Sequence, residues 1–142
     1  DISPFIYSND VGLVAPTPTS LLYINGDISY EQRTFNSTGT TYNAFDTQDG
    51  SYLTLYIANN TIINGIDAST STNGKMFILE CMIESNVVFS VNEKNASASS
   101  EDQMILGGSN FTHTGQVSVG SRKILTFIYN KAEQKWILIS LY

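Results

Sequence analysis

Ile124-Leu-Thr-Phe-Ile-Tyr-Asn-Lys-Ala-Glu-Gln-Lys-Trp-Ile-Leu-Ile-Ser-Leu-Tyr142 decides the fold class. Two runs rich in β-branched and aromatic residues, Ile124 to Tyr129 and Trp136 to Leu141, flank the polar or small residues Asn130 to Lys135, the pattern of a β-hairpin with a solvated loop. Both faces of each arm are largely apolar: Ile124 and Ile128 against Leu125, Phe127 and Tyr129, then Trp136 and Leu138 against Ile137, Ile139 and Leu141. A half-buried antiparallel strand alternates apolar with polar, so these strands require cover on both sides. With 142 residues the chain has little spare material for a second cover. The reading therefore assigns that cover to neighbouring copies and places Phe127, Tyr129, Trp136 and Leu138 at a subunit interface.

Working back from the hairpin, short β-prone segments recur and no apolar pattern keeps a helical period over three turns. Leu53, Leu55 and Ile57 alternate with Tyr52, Thr54 and Tyr56; Lys75 to Ile83 and Asn86 to Val91 read as further strands, and Met104 to Leu106 as a short one. Phe111, Val117 and Val119 are assigned to short strands broken by Gly115 and Gly120. Three Asn-Gly pairs, Asn25-Gly26, Asn64-Gly65 and Asn73-Gly74, supply the positive φ angles of two-residue hairpin turns. The expected fold is all-β, an antiparallel β-sandwich-like domain of short strands assembled as a trimer. Residues 1–20 hold Pro4, Pro16 and Pro18 and read as an N-terminal arm or linker, with 21–142 a single domain. A start at Asp1 rather than Met fits a fragment or a processed product.

Charged residues make up only 14% of the chain, against about 25% in a typical soluble domain, and polarity comes instead from Ser, Thr and Asn. Such a surface suits an extracellular particle or a glycan-facing protein. A net charge of −6 and scattered Lys and Arg leave no basic stripe for phosphates, so nucleic acid and anionic membrane are not expected partners. No apolar run reaches the length of a membrane helix, and membrane insertion is not expected. Cys81 lies in the run Met76 to Ile83 and reads as a small buried hydrophobe, with no second cysteine to pair with. His113 has no Cys or His at ligand spacing, and neither metal nor cofactor is expected.

The order Ile63-Asn-Gly-Ile66, Asn73-Gly-Lys-Met-Phe-Ile-Leu79, Asn86-Val-Val-Phe89, Gln103-Met-Ile-Leu106, Gly120-Ser-Arg-Lys-Ile-Leu-Thr-Phe-Ile-Tyr129 and Trp136-Ile-Leu138 resembles a recurring domain of bacteriophage tail fibres and other virion appendages. The likeness covers roughly residues 55–142 and rests on spacing and residue type. Asn130 stands where that pattern more often has Asp, a change of turn residue only. The resemblance implies a trimeric, non-enzymatic fibre domain in the virion, contacting itself, other virion proteins and host surface polysaccharide. A bacterial extracellular carbohydrate-binding module and a fragment of a glycan depolymerase are the alternatives.

The two acidic loops lack the signature of a catalytic carboxyl pair. Asp46 with Asp49, and Glu101 with Asp102, sit in polar surroundings without the apolar wall that raises one carboxyl pKa in a glycosidase pair. His113 lacks a Gly-x-Ser-x-Gly elbow to serve. Matches to the glycosylation sequon at Asn36, Asn59, Asn95 and Asn110 carry no weight in a chain so rich in Asn, Ser and Thr. For binding, the polar excursion 31–50 offers Tyr42 and Phe45 as stacking surfaces and Asn43, Asp46 and Asp49 as hydrogen-bonding groups, the expected receptor contact.

Overall fold

The computed structural model describes residues 5–6, 11–12, 31–48, 50–69, 71 and 73–142. Asn25-Gly26 and most of the arm lie outside the described residues. Among the described residues there are strands and turns and no helix. The strands are β1 (Phe5–Ile6), β2 (Val11–Gly12), β3 (Gln32–Asn36), β4 (Thr41–Tyr42), β5 (Tyr52–Ile57), β6 (Thr61–Ile63), β7 (Met76–Ile83), β8 (Val88–Val91), β9 (Met104–Ile105), β10 (Phe111–Thr114), β11 (Ser121–Asn130) and β12 (Lys135–Leu141).

β1 and β2 pair with each other; the rest form a six-stranded sheet in the order β3-β5-β7-β11-β12-β9 and a four-stranded sheet in the order β10-β8-β6-β4. From β3 to β8 the chain alternates between the two sheets, and each strand lies parallel to the one two places earlier. This is the path of a short solenoid, one coil per pair of strands. The sequence reading expected a meander of antiparallel strands, and here it is corrected: antiparallel pairing enters the large sheets only where β10 adds to β8 and β11 to β7, followed by the β11–β12 hairpin.

The Asn-Gly pairs explain the error. Asn64-Gly65 does not close a hairpin; it is a corner, with β6 on one side and the parallel bridge Phe45↔Ile66 on the other. Gly65 is needed for space, because a Cβ there would lie 2.5 Å from the Asn43 carbonyl oxygen and 2.6 Å from the Ala98 Cβ. Asn73-Gly74 does turn, but the strands on its two sides, β6 and β7, belong to different sheets. At the Asn64 corner, side chains stack from coil to coil: Asn64 Nδ2 donates to Asn43 Oδ1 (2.8 Å), and Asn92 Nδ2 donates to Asn64 Oδ1 (2.7 Å). Successive members are 21 and 28 residues apart, so the ladder fixes the register of coils that differ in length.

Both sheets feed one hydrophobic core. Leu53, Leu79 and Leu125 lie side by side across β5, β7 and β11, and Phe77 opposes Phe127, all 1% exposed or less. Ile63, Phe89 and Val91 come from the other sheet, and Phe45 and Ile66 from the corners. Each such burial is worth roughly 1.5 to 3 kcal/mol. Trp136 is fully buried, set edge-on against Tyr129 at 5.1 Å, and its Nε1 donates to the Ile66 carbonyl at 3.0 Å. That bond ties the terminal hairpin to the second coil. Cys81 is buried, and its thiol is pushed up by burial and by Glu80.

Phe127, Tyr129 and Trp136, expected at a subunit contact, thus lie in the chain's own core, and Leu138 packs partly against it. The outward face carries the alternates. Met76, Ile128, Ile137 and Ile105 stand in register across β7, β11, β12 and β9, an unbroken apolar row of half-buried side chains. On β12 the extra residue is Ile139: Thr126 pairs with Ser140 and Phe127 with Leu138, a bulge that returns Leu141 to the face of Leu125.

Candidate functional site

At one end of the six-stranded sheet its outer face meets the turn formed by residues 117–119. Tyr56, Met82 and Arg122 lie in register across β5, β7 and β11, all pointing outward because their neighbours Leu55, Cys81 and Ile57 are buried. With Glu84, Ser118 and Val119 they line an open groove of about 590 Å³. Tyr56 is 46% exposed and Val119 78%. Val117 and Val119, expected on strands, lie on the turn as exposed side chains.

The turn is held against the sheet by backbone geometry. Gly120 has φ +70°, and a Cβ on it would lie 2.5 Å from the Ile83 carbonyl oxygen, so only glycine lets β11 start this close to the end of β7. Ser118, a non-glycine residue, is itself at φ 72°, and its N–H donates to Ser85 Oγ at 2.8 Å. Such conformations cost energy and persist only where surroundings hold them. The Gln116 N–H donates to Ser121 Oγ at 3.1 Å, bracing the other side of the loop.

Beside the groove runs a polar relay. Arg122 Nε lies 3.9 Å from Glu80 Oε1, and Tyr52 donates its hydroxyl to Glu80 Oε2. Donation to Glu80, reinforced by burial, raises the Tyr52 phenol above its ordinary value. Arg122 and Tyr56 flank Met82 on the same outward face, one strand to either side of it. An aromatic face, a guanidinium, a carboxylate at Glu84 and a serine hydroxyl are groups that stack on the C–H face of a sugar ring and bond to its hydroxyls.

The excursion expected to bind a receptor forms the first described coil. Phe45 is 1% exposed and sits edge-on to Phe35 and Tyr42, with ring centres 6.0 and 5.3 Å away. The Tyr42 hydroxyl accepts from the Gly39 N–H (2.9 Å) and bonds with Ser37 Oγ (3.2 Å). Burial alone would raise this phenol, but the bonds from Ser37 and Gly39 bring it below its ordinary value. Asn43 is spent in the ladder, and Asp46 accepts from the Gln48 N–H at 2.7 Å, closing an Asx turn. Asp49 lies outside the described residues. Of the side chains named together in that reading, Phe45 is buried and Tyr42 half-buried, while Asn43 and Asp46 are exposed.

Asp102, 9% exposed, accepts from the Ala68 N–H (2.9 Å) and from Ser99 Oγ (2.7 Å), which is structural work. Among the described residues no group of three or more His, Cys, Asp and Glu side chains is placed to hold a metal, and no helix is long and apolar enough to cross a membrane. Tyr56 and Arg122 were missed by sequence reasoning because they are 66 positions apart in the sequence and only the strand register joins them. No protein-family model matches the chain, and no curated protein or solved structure matches it.

Proposed function

We propose that this is a non-enzymatic structural and attachment domain of a virion fibre or similar appendage, binding a host surface glycan in the Tyr56–Arg122 groove. The observation that carries the reading is the groove itself: an exposed aromatic ring and a guanidinium-bearing side chain on a register-locked β scaffold, beside a turn held in a costly conformation. Rigid scaffolds with recognition groups at their ends and loops are the usual design of binding domains. The low charge and abundance of Ser, Thr and Asn agree with an extracellular particle.

Assembly as a trimer belongs to the same proposal. The row Met76, Ile128, Ile137 and Ile105 gives copies of the chain an apolar strip to share on the side away from the core, in a β-sandwich-like arrangement of the two sheets. A secreted carbohydrate-binding module would use the same groove as a monomer. Light scattering coupled to size exclusion separates the two: a trimer mass at micromolar concentration supports the fibre reading, and a clean monomer overturns it. Adsorption to host cells by the wild type, lost in Tyr56→Ala, tests the attachment role.

A further inference from the structure

Within residues 31–142 two aromatic rings are exposed, Tyr56 at 46% and Tyr142 at 79%; every other ring there is buried or half-buried. Strand register puts both on one face of the six-stranded sheet. Tyr56 pairs with Met82 and Met82 with Arg122, which sets Tyr56 on the outward face shared by β5, β7 and β11. Tyr142 follows the last residue of β12 and exchanges both backbone hydrogen bonds with Ile124, each at 2.9 Å. Directly opposed residues of an antiparallel pair project to the same side. Ile124 in turn opposes Glu80, whose carboxylate meets Arg122 on the outward face, so Tyr142 lies outward as well.

β7 and β11 separate β5 from β12. The two rings therefore stand three strand spacings apart across the sheet, about 14 Å, and two residues apart along it, about 7 Å. That separation is longer than a single sugar ring. Polar side chains fill the interval: Glu80 and Arg122 lie between the rings, and Asn36, exposed and in register with Tyr56, lies just beyond on β3. Two stacking platforms with hydrogen-bonding groups between them match a chain of sugars laid across the strands. Charge selects among such chains. Arg122 already faces Glu80 at 3.9 Å, Glu84 adds a second carboxylate to the groove, and the whole chain carries a net charge of −6, so an acidic polymer is repelled.

We infer, resting on the attachment reading above, that the glycan is a neutral, extended polysaccharide bound along its length, with one sugar stacked on Tyr56 and a later sugar of the same chain on Tyr142. A single sugar reaches one platform and a chain reaches both, the second contact forming at high effective concentration once the first is made. The Tyr142 side chain is free for this work because its ties to β11 are backbone bonds. On β11 the apolar row passes through Ile128, four residues further on than Ile124 and so about 13 Å away. Assembly through that row and binding at this end of the face are therefore compatible.

Chain length is the variable that tests this. Cello- and chito-oligosaccharides of one to six units supply neutral extended chains, a hyaluronan hexasaccharide supplies an acidic one, and each is titrated into the purified protein by isothermal calorimetry. In at least one neutral series affinity is expected to rise at least tenfold from disaccharide to hexasaccharide and to exceed that of hyaluronan. Tyr142→Ala, with an unchanged melting temperature, abolishes the rise and leaves the disaccharide affinity as it was; Tyr142→Phe keeps the rise, and Tyr56→Ala lowers affinity at both lengths. Affinity independent of length, a rise that survives Tyr142→Ala, or tighter binding of hyaluronan overturns the inference. Failure of both neutral series to bind, while adsorption to host cells still depends on Tyr56, overturns it too and leaves the attachment reading standing. Length-dependent binding that needs Tyr142, without any adsorption to host cells, supports the chain-binding site and removes the attachment role instead.

Discussion

Asn64 donates its side-chain amide to Asn43, 21 residues earlier, while accepting one from Asn92, 28 residues later. The middle member is 6% exposed, so its own amide lies where water offers poor compensation for a lost partner. Asn64→Ala removes both and strands the Asn92 amide. A loss of about 2 kcal/mol is expected in urea unfolding. Asn64→Asp is expected to be worse, because it keeps the acceptor from Asn92, loses the donor to Asn43 and adds a charge with no partner.

Gly65→Ala tests the same corner by space. The added methyl meets the Asn43 carbonyl and the Ala98 methyl, and overpacking of this kind costs about 1 to 3 kcal/mol. Denaturant unfolding measures it. An unchanged midpoint would mean that the second coil is not held this close to the first.

The His113 ring gives a pH dependence with a definite sign. Its folded pKa is below the ordinary 6.5, first through burial and then through Lys123. A depressed folded value means that the unfolded chain binds more protons. The stability this ring contributes is therefore complete above pH 6.5 and is lost as pH falls through the folded value. Melting temperatures of the wild type are expected to drop faster than those of His113→Gln as pH is lowered through that window. Tyr52 has the opposite sign: its raised pKa gives stability present below pH 10 and lost as pH rises through the folded value.

Assembly is tested on the outer face. Ile137→Asp places a charge in the middle of the apolar row, beside Ile128 and Ile105, without touching the core. A smaller mass by light scattering is expected, with far-UV circular dichroism unchanged. By contrast, Trp136→Ala opens the core and is expected to cost about 3 to 5 kcal/mol in any oligomeric state.

Some features of the fold were legible in the sequence. The β11–β12 hairpin was, because its two arms adjoin and its turn is polar. Apolar character on both faces was read correctly, but which face is inward was not, since alternation is symmetric until something packs on it. The Ile139 bulge then shifted Leu141 relative to Ile137, which a strict period of two cannot anticipate. Parallel coils were hidden by Asn64-Gly65, a pair that serves a hairpin turn and a crowded solenoid corner equally well. Tyr42 and Phe45 looked like exposed loop aromatics because their partners, Phe35, Ser37 and Gly39, are polar-flanked and carry no strand signal of their own. The groove had one faint signal, the exposed valines between Gly115 and Gly120, too polar in company to be strand and too apolar to be idle turn.

The central claim is that the Tyr56–Arg122 groove, not the 31–50 coil, meets the glycan. Binding of the purified protein to an array of neutral and acidic bacterial surface polysaccharides measures this most directly, with Tyr56→Ala and Asp46→Ala run beside the wild type. The account predicts that wild type and Asp46→Ala bind alike and that Tyr56→Ala weakens binding at least tenfold, about 1.4 kcal/mol. Full binding by a folded Tyr56→Ala, or loss confined to Asp46→Ala, would contradict it.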